Sequence, residues 1–309
     1  QRPASHEVAE PAADDLSTEA ASSAGAQIAV LPNRPAQIAE KLELLAKDGQ
    51  NSADFEQIIA DALSFLGFET KAIGGPGKTD VVAIAPLGPL RFKVVIDAKT
   101  TSNNTVGNHL IDWLAIKKHK DDEWADHACV VGRAFSGGAL RTQAEEFEVA
   151  LLKAEDLAEI VLVHSLTPVS LAELRTVFAT IPDTSPAIAG IRLSANHRER
   201  RLRLIKYLLK QIDQFNREQE DIVMAKPDMM WAAVAASSDQ SIKGTSRDDV
   251  VDALHLLETI GVLAKSNGDG YVSQTSLDGA MQMLAAVSAL AQETDVSQQS
   301  AQSKSETVS

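Results

Sequence analysis

Apolar and polar residues alternate with a period of two along one stretch of this chain, residues 91–99. Every even position of that stretch is apolar: Phe92, Val94, Ile96 and Ala98. The odd positions are mostly polar, and the last two of them are Asp97 and Lys99. Side chains two residues apart project from the same face of a strand. The pattern therefore predicts a strand that packs its even face on a core and presents Asp97 and Lys99 together on the other face.

A second apolar run, residues 81–85, precedes this strand and begins directly after Asp80. Pro86 ends the run, and the sequence Leu-Gly-Pro at 87–89 is suited to turning the chain back. We therefore expect the two runs to form a hairpin. In that hairpin Asp80 would lie across from Asp97, and both carboxylates would reach one divalent cation.

Two carboxylates and a lysine at one end of a hairpin are groups suited to hydrolysing a phosphodiester. Mg²⁺ takes one or two carboxylates, keeps several waters and completes its shell with phosphate oxygens of the substrate, and Mn²⁺ is a possible substitute. Lys99 would orient or deprotonate the attacking water and counter the charge on the phosphate. The alternative is a surface hairpin in which Asp97 and Lys99 only pair with their neighbours, as exposed ion pairs often do.

Apolar residues at helical spacing predict two helices before the hairpin. A first helix is expected over about 35–48, and a second is expected to run from Ser52 to about residue 66. Glu56 lies at the edge of the apolar stripe of the second helix, where it would be either a further metal ligand or a solvated residue. The glycine-rich loop at 73–77 would let a phosphate approach the backbone closely, but it lacks the spacing of a P-loop.

Helices and strands are predicted to alternate beyond the hairpin. The expected elements are helices at about 105–119 and 139–148, and strands at 128–131 and 149–152. The apolar run at 160–163 fits either a strand or the end of a helix. Together with the hairpin, this order predicts an α/β unit over about 31–165, with a central mixed β-sheet flanked by helices.

Residues 166–225 are predicted to form a helical linker, of which 196–217 is the most informative part. One face of that helix is expected to be apolar: Leu202, Ile205, Leu208, Leu209 and Ile212. The opposite face carries the basic stripe, defined as Arg200, Arg203, Lys206 and Lys210. The basic stripe would either contact DNA phosphates or be a solvated helix face.

The pattern of residues 226–292 predicts a winged-helix-like domain. Helices are expected over 228–236 and 247–260, followed by two short strands around Asn-Gly-Asp-Gly at 267–270 and a last helix over 277–292. The outward positions of the second helix are mostly acidic: Asp248, Asp249, Asp252, His255 and Glu258. Because these side chains repel phosphate, we favour a contact with a partner protein or a second copy over reading of a DNA groove.

Composition limits how the protein would bind DNA. The 309 residues carry a formal net charge of −14, which does not suit DNA binding by general electrostatics. Part of the excess lies in the acidic tails at 1–30 and 293–309, which we expect to be disordered. A single cysteine, Cys129, lies in an apolar run typical of a buried strand and points to a reducing, cytoplasmic location. No stretch predicts a membrane span or a signal peptide, and a start at Gln1 indicates a longer parent or a processed chain.

These residues together resemble the PD-(D/E)xK nuclease superfamily, and within it the cleavage domains of type IIS restriction endonucleases. The resemblance covers about 53–165 and rests on two motifs: Gly-Gly-x-x-Lys-x-Asp ending at Asp80, and Val-Ile-Asp-Ala-Lys ending at Lys99. It implies a restriction-endonuclease-like core in which Asp80 and Asp97 bind Mg²⁺ and Lys99 assists the attacking water. Glu56 corresponds loosely to a carboxylate that some members of the superfamily supply from the first helix. The chain departs from the superfamily pattern at Thr79, where the name implies proline.

The resemblance implies a Mg²⁺-dependent DNA endonuclease of a restriction or defence type. Its DNA contacts are expected at the basic stripe and at the approach loop, defined as residues 73–78, through Gly75 and Lys78. Targeting is expected to be supplied largely by a partner or another segment. One alternative is a DNA-end-cleaving subunit of a transposition or repair complex. A second alternative is a non-catalytic DNA-binding or assembly protein that uses the nuclease fold as a scaffold.

Overall fold

A computed structural model describes residues 33–74, 79–218, 225–266 and 269–285. The chain divides between Asn33 and Arg34, and the elements below belong to the part Arg34–Ser309. The predicted acidic tails lie outside the described residues, as do Gly75 and Lys78. Among the described residues, no helix is both long enough and apolar enough to cross a membrane.

A mixed sheet forms the centre of the first half of this part. Its strands are β1 (Glu69–Ala72), β2 (Val81–Ala85), β3 (Phe92–Lys99), β4 (His127–Gly132) and β5 (Val149–Lys153). They lie in sequence order, with β1, β2 and β3 antiparallel and β3, β4 and β5 parallel. The sheet and the hairpin of β2 and β3 confirm the α/β prediction.

Helices cover both faces of the sheet. They are α1 (Arg34–Leu45), α2 (Ser52–Phe65), α3 (Trp113–Asp122), α4 (Ala139–Glu146) and α5 (Ala154–Leu166). Val94 and Ile96 of β3 belong to the apolar core that α1, α2 and α5 share. Val95 points to a second core formed with α3 and α4. The face of β3 that carries Asp97 and Lys99 is therefore covered along part of its length, which the alternating pattern did not indicate.

The structure moves the start of one predicted helix and decides between the alternatives left open at 160–163. The helix expected at 105–119 begins only at Trp113, because Val106 is drawn into a bridge with the chain that follows β4: its N–H donates to Ala134 O at 2.7 Å. Asp112 then caps the helix by accepting from Ala115 N at 3.0 Å. The ambiguous run at 160–163 is helical and belongs to α5.

Two further helices connect the halves: α6 (Leu171–Ala179) and α7 (Ser185–Glu218). The first part of α7 contributes Ile188 to the sheet core, and its later part forms another core. The predicted apolar face of α7 needs one correction, because Leu202 is 58% exposed whereas Leu204 is 1% exposed. The buried face of α7 packs against the helices that follow it. These helices cover Leu204, which lies at the edge of that face.

The last described part consists of α8 (Pro227–Ala236), α9 (Arg247–Thr259) and the short antiparallel strands β6 (Leu263–Lys265) and β7 (Tyr271–Ser273). Residues 277–285 are helical as well. Ser246 caps α9 in a capping box with Asp249. Ala225 and Tyr271 exchange backbone hydrogen bonds of 2.8 and 3.1 Å. The order of two helices and a hairpin agrees with the sequence pattern.

Candidate active site

Strand register brings Asp80 and Asp97 to the same end of the hairpin. Val81 pairs with Ile96, so the preceding residue, Asp80, lies opposite Asp97. Asp80 Oδ2 accepts a hydrogen bond from Ala98 N at 2.7 Å. Thr79 adds a second link, because its buried Oγ1 donates to Ile96 O at 3.3 Å. The position of Asp80 is thus fixed by the backbone of the neighbouring strand rather than by side chains alone.

Lys99 and Asp97 project from the same face of β3 and form an ion pair. Lys99 Nζ lies 2.7 Å from Asp97 Oδ2, and the side chains are 23% and 18% exposed. That oxygen is buried, and its contact with Lys99 is close but lacks normal hydrogen-bond geometry. Burial raises the pKa of Asp97, an effect that the positive charge of Lys99 opposes and the negative charge of Asp80 reinforces.

Glu56 of α2 faces the same group of side chains. Its Oε2 lies 3.1 Å from the point where a Cβ on Gly74 would stand, which places the carboxylate beside the start of the approach loop. Burial raises the pKa of Glu56, and the charges of Asp80 and Asp97 raise it further while Lys99 lowers it. The structure therefore brings Glu56 together with the three residues of the hairpin.

Two residues near the site were not among those predicted from the sequence. Thr79 positions the hairpin end through its hydroxyl, and His119 of α3 lies near enough for its charge to lower the pKa of Asp97. The departure from proline at position 79 was the available signal for Thr79. No sequence signal connected His119 with Asp97, because the link depends on how α3 packs on the sheet.

The carboxylate oxygens of the site suit a small divalent cation whose coordination shell is only partly supplied by protein. Among the described residues, no group of three or more His, Cys, Asp or Glu side chains is close enough to enclose a metal ion. Mg²⁺ does not need such a cage, because one or two carboxylates, waters and substrate phosphates complete its shell. Asp97 Oδ2, buried without a directed hydrogen bond, is the kind of atom that a cation would satisfy.

The basic stripe lies on α7 and is exposed at all four positions. Arg203 pairs with Glu199 one turn away on the same helix. The neighbouring Arg201 lies 3.7 Å from Asp252 of α9, so part of the acidic face of α9 is paired within the chain. The basic stripe is not part of the group around Asp97.

Comparison with protein families matches residues 22–111 to the family described as "FokI, cleavage domain". The matched range contains Glu56, Asp80, Asp97 and Lys99, and it confirms the resemblance to type IIS cleavage domains. Comparison with curated proteins found no match.

Two solved structures are similar to this chain. The structure of restriction endonuclease FokI has a TM-score of 0.41 and 15% identity, and covers 48% of this chain and 30% of its own. The structure of FokI bound to DNA has a TM-score of 0.38 and 18% identity, with coverage of 49% and 30%. The chain thus spans less than a third of the length of these two relatives.

Proposed function

We propose that this chain, whose residues 22–111 resemble a type IIS restriction endonuclease cleavage domain, is a Mg²⁺-dependent endonuclease that hydrolyses DNA phosphodiester bonds. The observation that carries the proposal is the placement of Asp80 opposite Asp97, with Lys99 Nζ 2.7 Å from Asp97. A restriction or defence role is the biological setting that the resemblance favours.

Asp80 and Asp97 would hold the metal ion, with Glu56 as a further ligand. The ion, Mg²⁺ or Mn²⁺, would polarise the scissile phosphate and lower the pKa of the attacking water. Asp80 is preset for this role, because the hydrogen bond from Ala98 N holds one of its oxygens. The buried oxygen of Asp97 supports the same assignment, since it lacks a directed hydrogen bond among the described residues.

Lys99 would act on the water and on the phosphate. In the structure its Nζ is held by Asp97, so it stays within the site before DNA arrives. With Asp97 holding a cation, the ammonium of Lys99 would orient the attacking water and counter charge on the phosphate. Thr79 would position the hairpin end through Ile96 O without touching the substrate.

Targeting would come largely from a partner or from another segment. The net charge of −14 weakens general attraction to DNA, which leaves the basic stripe and the approach loop residues Gly75 and Lys78 as the expected contacts. We assign α8, α9 and the β6–β7 hairpin to a winged-helix module. Its exposed Asp248 and Asp252 disfavour groove reading and favour a contact with a partner protein or a second copy.

Plasmid nicking tests the proposal. Purified protein is incubated with supercoiled DNA and Mg²⁺, beside the variant Asp97→Ala and a sample with chelator. We expect nicking by the unchanged protein only with metal, and loss of nicking in the variant. Equal nicking by Asp97→Ala would refute the site, and activity that appears only with a partner protein would favour an end-cleaving subunit.

A further inference from the structure

A cleft of about 280 Å³ opens at the sheet edge where the parallel strands β3, β4 and β5 end. Its polar lining comes from Lys47 at the end of α1, Asn104 after β3, Arg133 after β4 and the carboxylates Glu43 and Glu155. The remaining lining residues are alanines, which leave the space open. Ligands of open α/β sheets bind in crevices outside the carboxyl ends of the strands, which is where this cleft lies.

Three hydrogen bonds, two of them between backbone groups, hold the walls of the cleft together. Thr101 N donates to Ala46 O at 3.2 Å and so joins the loop after β3 to α1. Val106 N donates to Ala134 O at 2.7 Å and joins the same loop to the chain after β4. Arg133 Nη1 donates to Asn103 O at 3.1 Å, which fixes the guanidinium against that loop. The cleft is therefore preorganised rather than a gap between independent loops.

The charge of Arg133 is the feature that suggests a ligand. Among the described residues no carboxylate forms an ion pair with Arg133, whose hydrogen bond goes to a neutral carbonyl. The two carboxylates of the lining have other partners: Glu43 lies 3.9 Å from Lys47, and Glu155 lies 3.1 Å from Lys153. A guanidinium with free donors in a polar cleft is suited to a phosphate.

The cleft lies at the same end of the strands as the candidate active site, on the side of the sheet that α1 and α5 cover. Lys99 is in register with Gly132, the residue before Arg133, and neighbouring strands lie about 4.8 Å apart. We propose that the cleft binds a backbone phosphate of the DNA strand whose scissile phosphate lies at Asp97 and Lys99. Arg133 supplies the charge, and Asn104 supplies an amide. This inference rests on the proposed function and assigns its substrate a second contact.

The test compares Arg133→Ala with Arg91→Ala, which removes an exposed arginine at the opposite end of β3. Binding of a labelled duplex is followed by fluorescence anisotropy at several salt concentrations, with Ca²⁺ in place of Mg²⁺ to prevent hydrolysis. Loss of a phosphate contact should weaken binding about tenfold or more. It should also reduce the salt slope by about 0.9, whereas Arg91→Ala should match the unchanged protein.

A third variant separates the charge of Arg133 from its structural contact with Asn103. Arg133→Lys should keep the salt slope of the unchanged protein, and circular dichroism should show that all three variants fold. If Arg133→Ala binds with unchanged affinity and slope, the inference is wrong, whether or not the plasmid is nicked. If the unchanged protein shows an Arg133-dependent slope but never nicks DNA, the proposed hydrolysis fails and the phosphate cleft stands. If the unchanged protein does not bind the duplex even at low salt, the phosphate cleft is refuted, whereas the proposed hydrolysis is judged by plasmid nicking alone.

Discussion

Asp80 lies opposite Asp97 across the hairpin, one residue beyond the pair formed by Val81 and Ile96. Ala98 N, in the residue after Asp97, donates a hydrogen bond of 2.7 Å to Asp80 Oδ2 and so holds the Asp80 carboxylate beside β3. A change that shifts the register of β2 against β3 would therefore separate the two carboxylates. The geometry of the candidate site depends on strand pairing as much as on the identity of its side chains.

The first prediction concerns Lys99 and a matched lysine on the same strand. Lys93 lies on the same face of β3 at its other end, where its Nζ is 3.2 Å from Glu123. Lys99→Ala should lower the rate of plasmid nicking about 100-fold or more, because it removes a group that acts on the water and the phosphate. Lys93→Ala should leave the rate near that of the unchanged protein. An equal loss in both variants would show that a general defect of β3, not the chemistry of Lys99, causes the effect.

The second prediction concerns Glu56 as a metal ligand. Glu56→Gln keeps the shape of the side chain but removes the charge that acts on Asp80 and Asp97. We expect the Mg²⁺ concentration at half-maximal nicking to rise about tenfold, with a smaller change in the rate at saturating metal. Asp61→Asn is the control on the same helix, since Asp61 bonds to Gln57 rather than to the site. If Glu56→Gln leaves the Mg²⁺ concentration at half-maximal nicking unchanged, Glu56 is not a metal ligand.

The hairpin was predictable because its signals are local. Alternation over 91–99, a turn at 87–89 and an apolar run after Asp80 determine which strands pair and which side chains share a face. Glu56 could be placed at a helix edge but not beside Asp80, because the crossing of α2 over the sheet is not encoded in the period of either element.

Tertiary packing decided the features that sequence reasoning did not reach. Leu202 and Leu204 flank the same apolar stripe of α7, and only the helices packed on it determine that Leu204 is buried. Likewise, the start of α3 depends on a bridge between Val106 and Phe135, which are far apart in the chain. The pairing of Arg201 with Asp252 belongs to the same class of long-range contacts.

A third prediction distinguishes members of the basic stripe. Lys206 and Lys210 are exposed, whereas Arg203 is already paired with Glu199. If the basic stripe contacts DNA, Lys206→Ala and Lys210→Ala should each reduce the salt slope of duplex binding by about 0.9. Arg203→Ala should reduce the slope less, because binding of phosphate must first break an existing pair. If all three variants keep the salt slope of the unchanged protein, the basic stripe is a solvated helix face rather than a DNA contact.

A fourth prediction uses two glycines near the candidate site. A Cβ on Gly132 would lie 2.9 Å from Val106 Cγ2 and 3.2 Å from Lys99 O, whereas a Cβ on Gly137 would meet no atom within 4 Å. Gly132→Ala should therefore reduce the free energy of unfolding by about 1–3 kcal/mol through overpacking. Gly137→Ala should change it little. Urea denaturation of both variants measures the difference, and comparable stability would mean that Val106 and the end of β3 yield without cost.

The fifth prediction concerns the pH dependence of stability at His127. Its ring packs edge to face against Phe92, with 5.9 Å between the ring centroids. Its Nε2 is buried without a hydrogen bond among the described residues. Burial lowers the pKa of His127, and Asp126 opposes this effect while Arg175 and Lys120 add to it. The folded state therefore binds fewer protons than the unfolded state, whose histidine titrates near pH 6.5.

The sign of the effect follows from that difference. Stability from neutral His127 is complete above about pH 6.5 and is lost as the pH falls towards the lowered pKa of the folded state. His127→Phe keeps the ring contact with Phe92 and removes the titration. Urea denaturation between about pH 7.5 and about pH 5.5 should show a smaller loss of stability in this variant than in the unchanged protein. His109→Phe, which changes an exposed histidine, should lose as much as the unchanged protein, and identical losses in all three would rule out a contribution from His127.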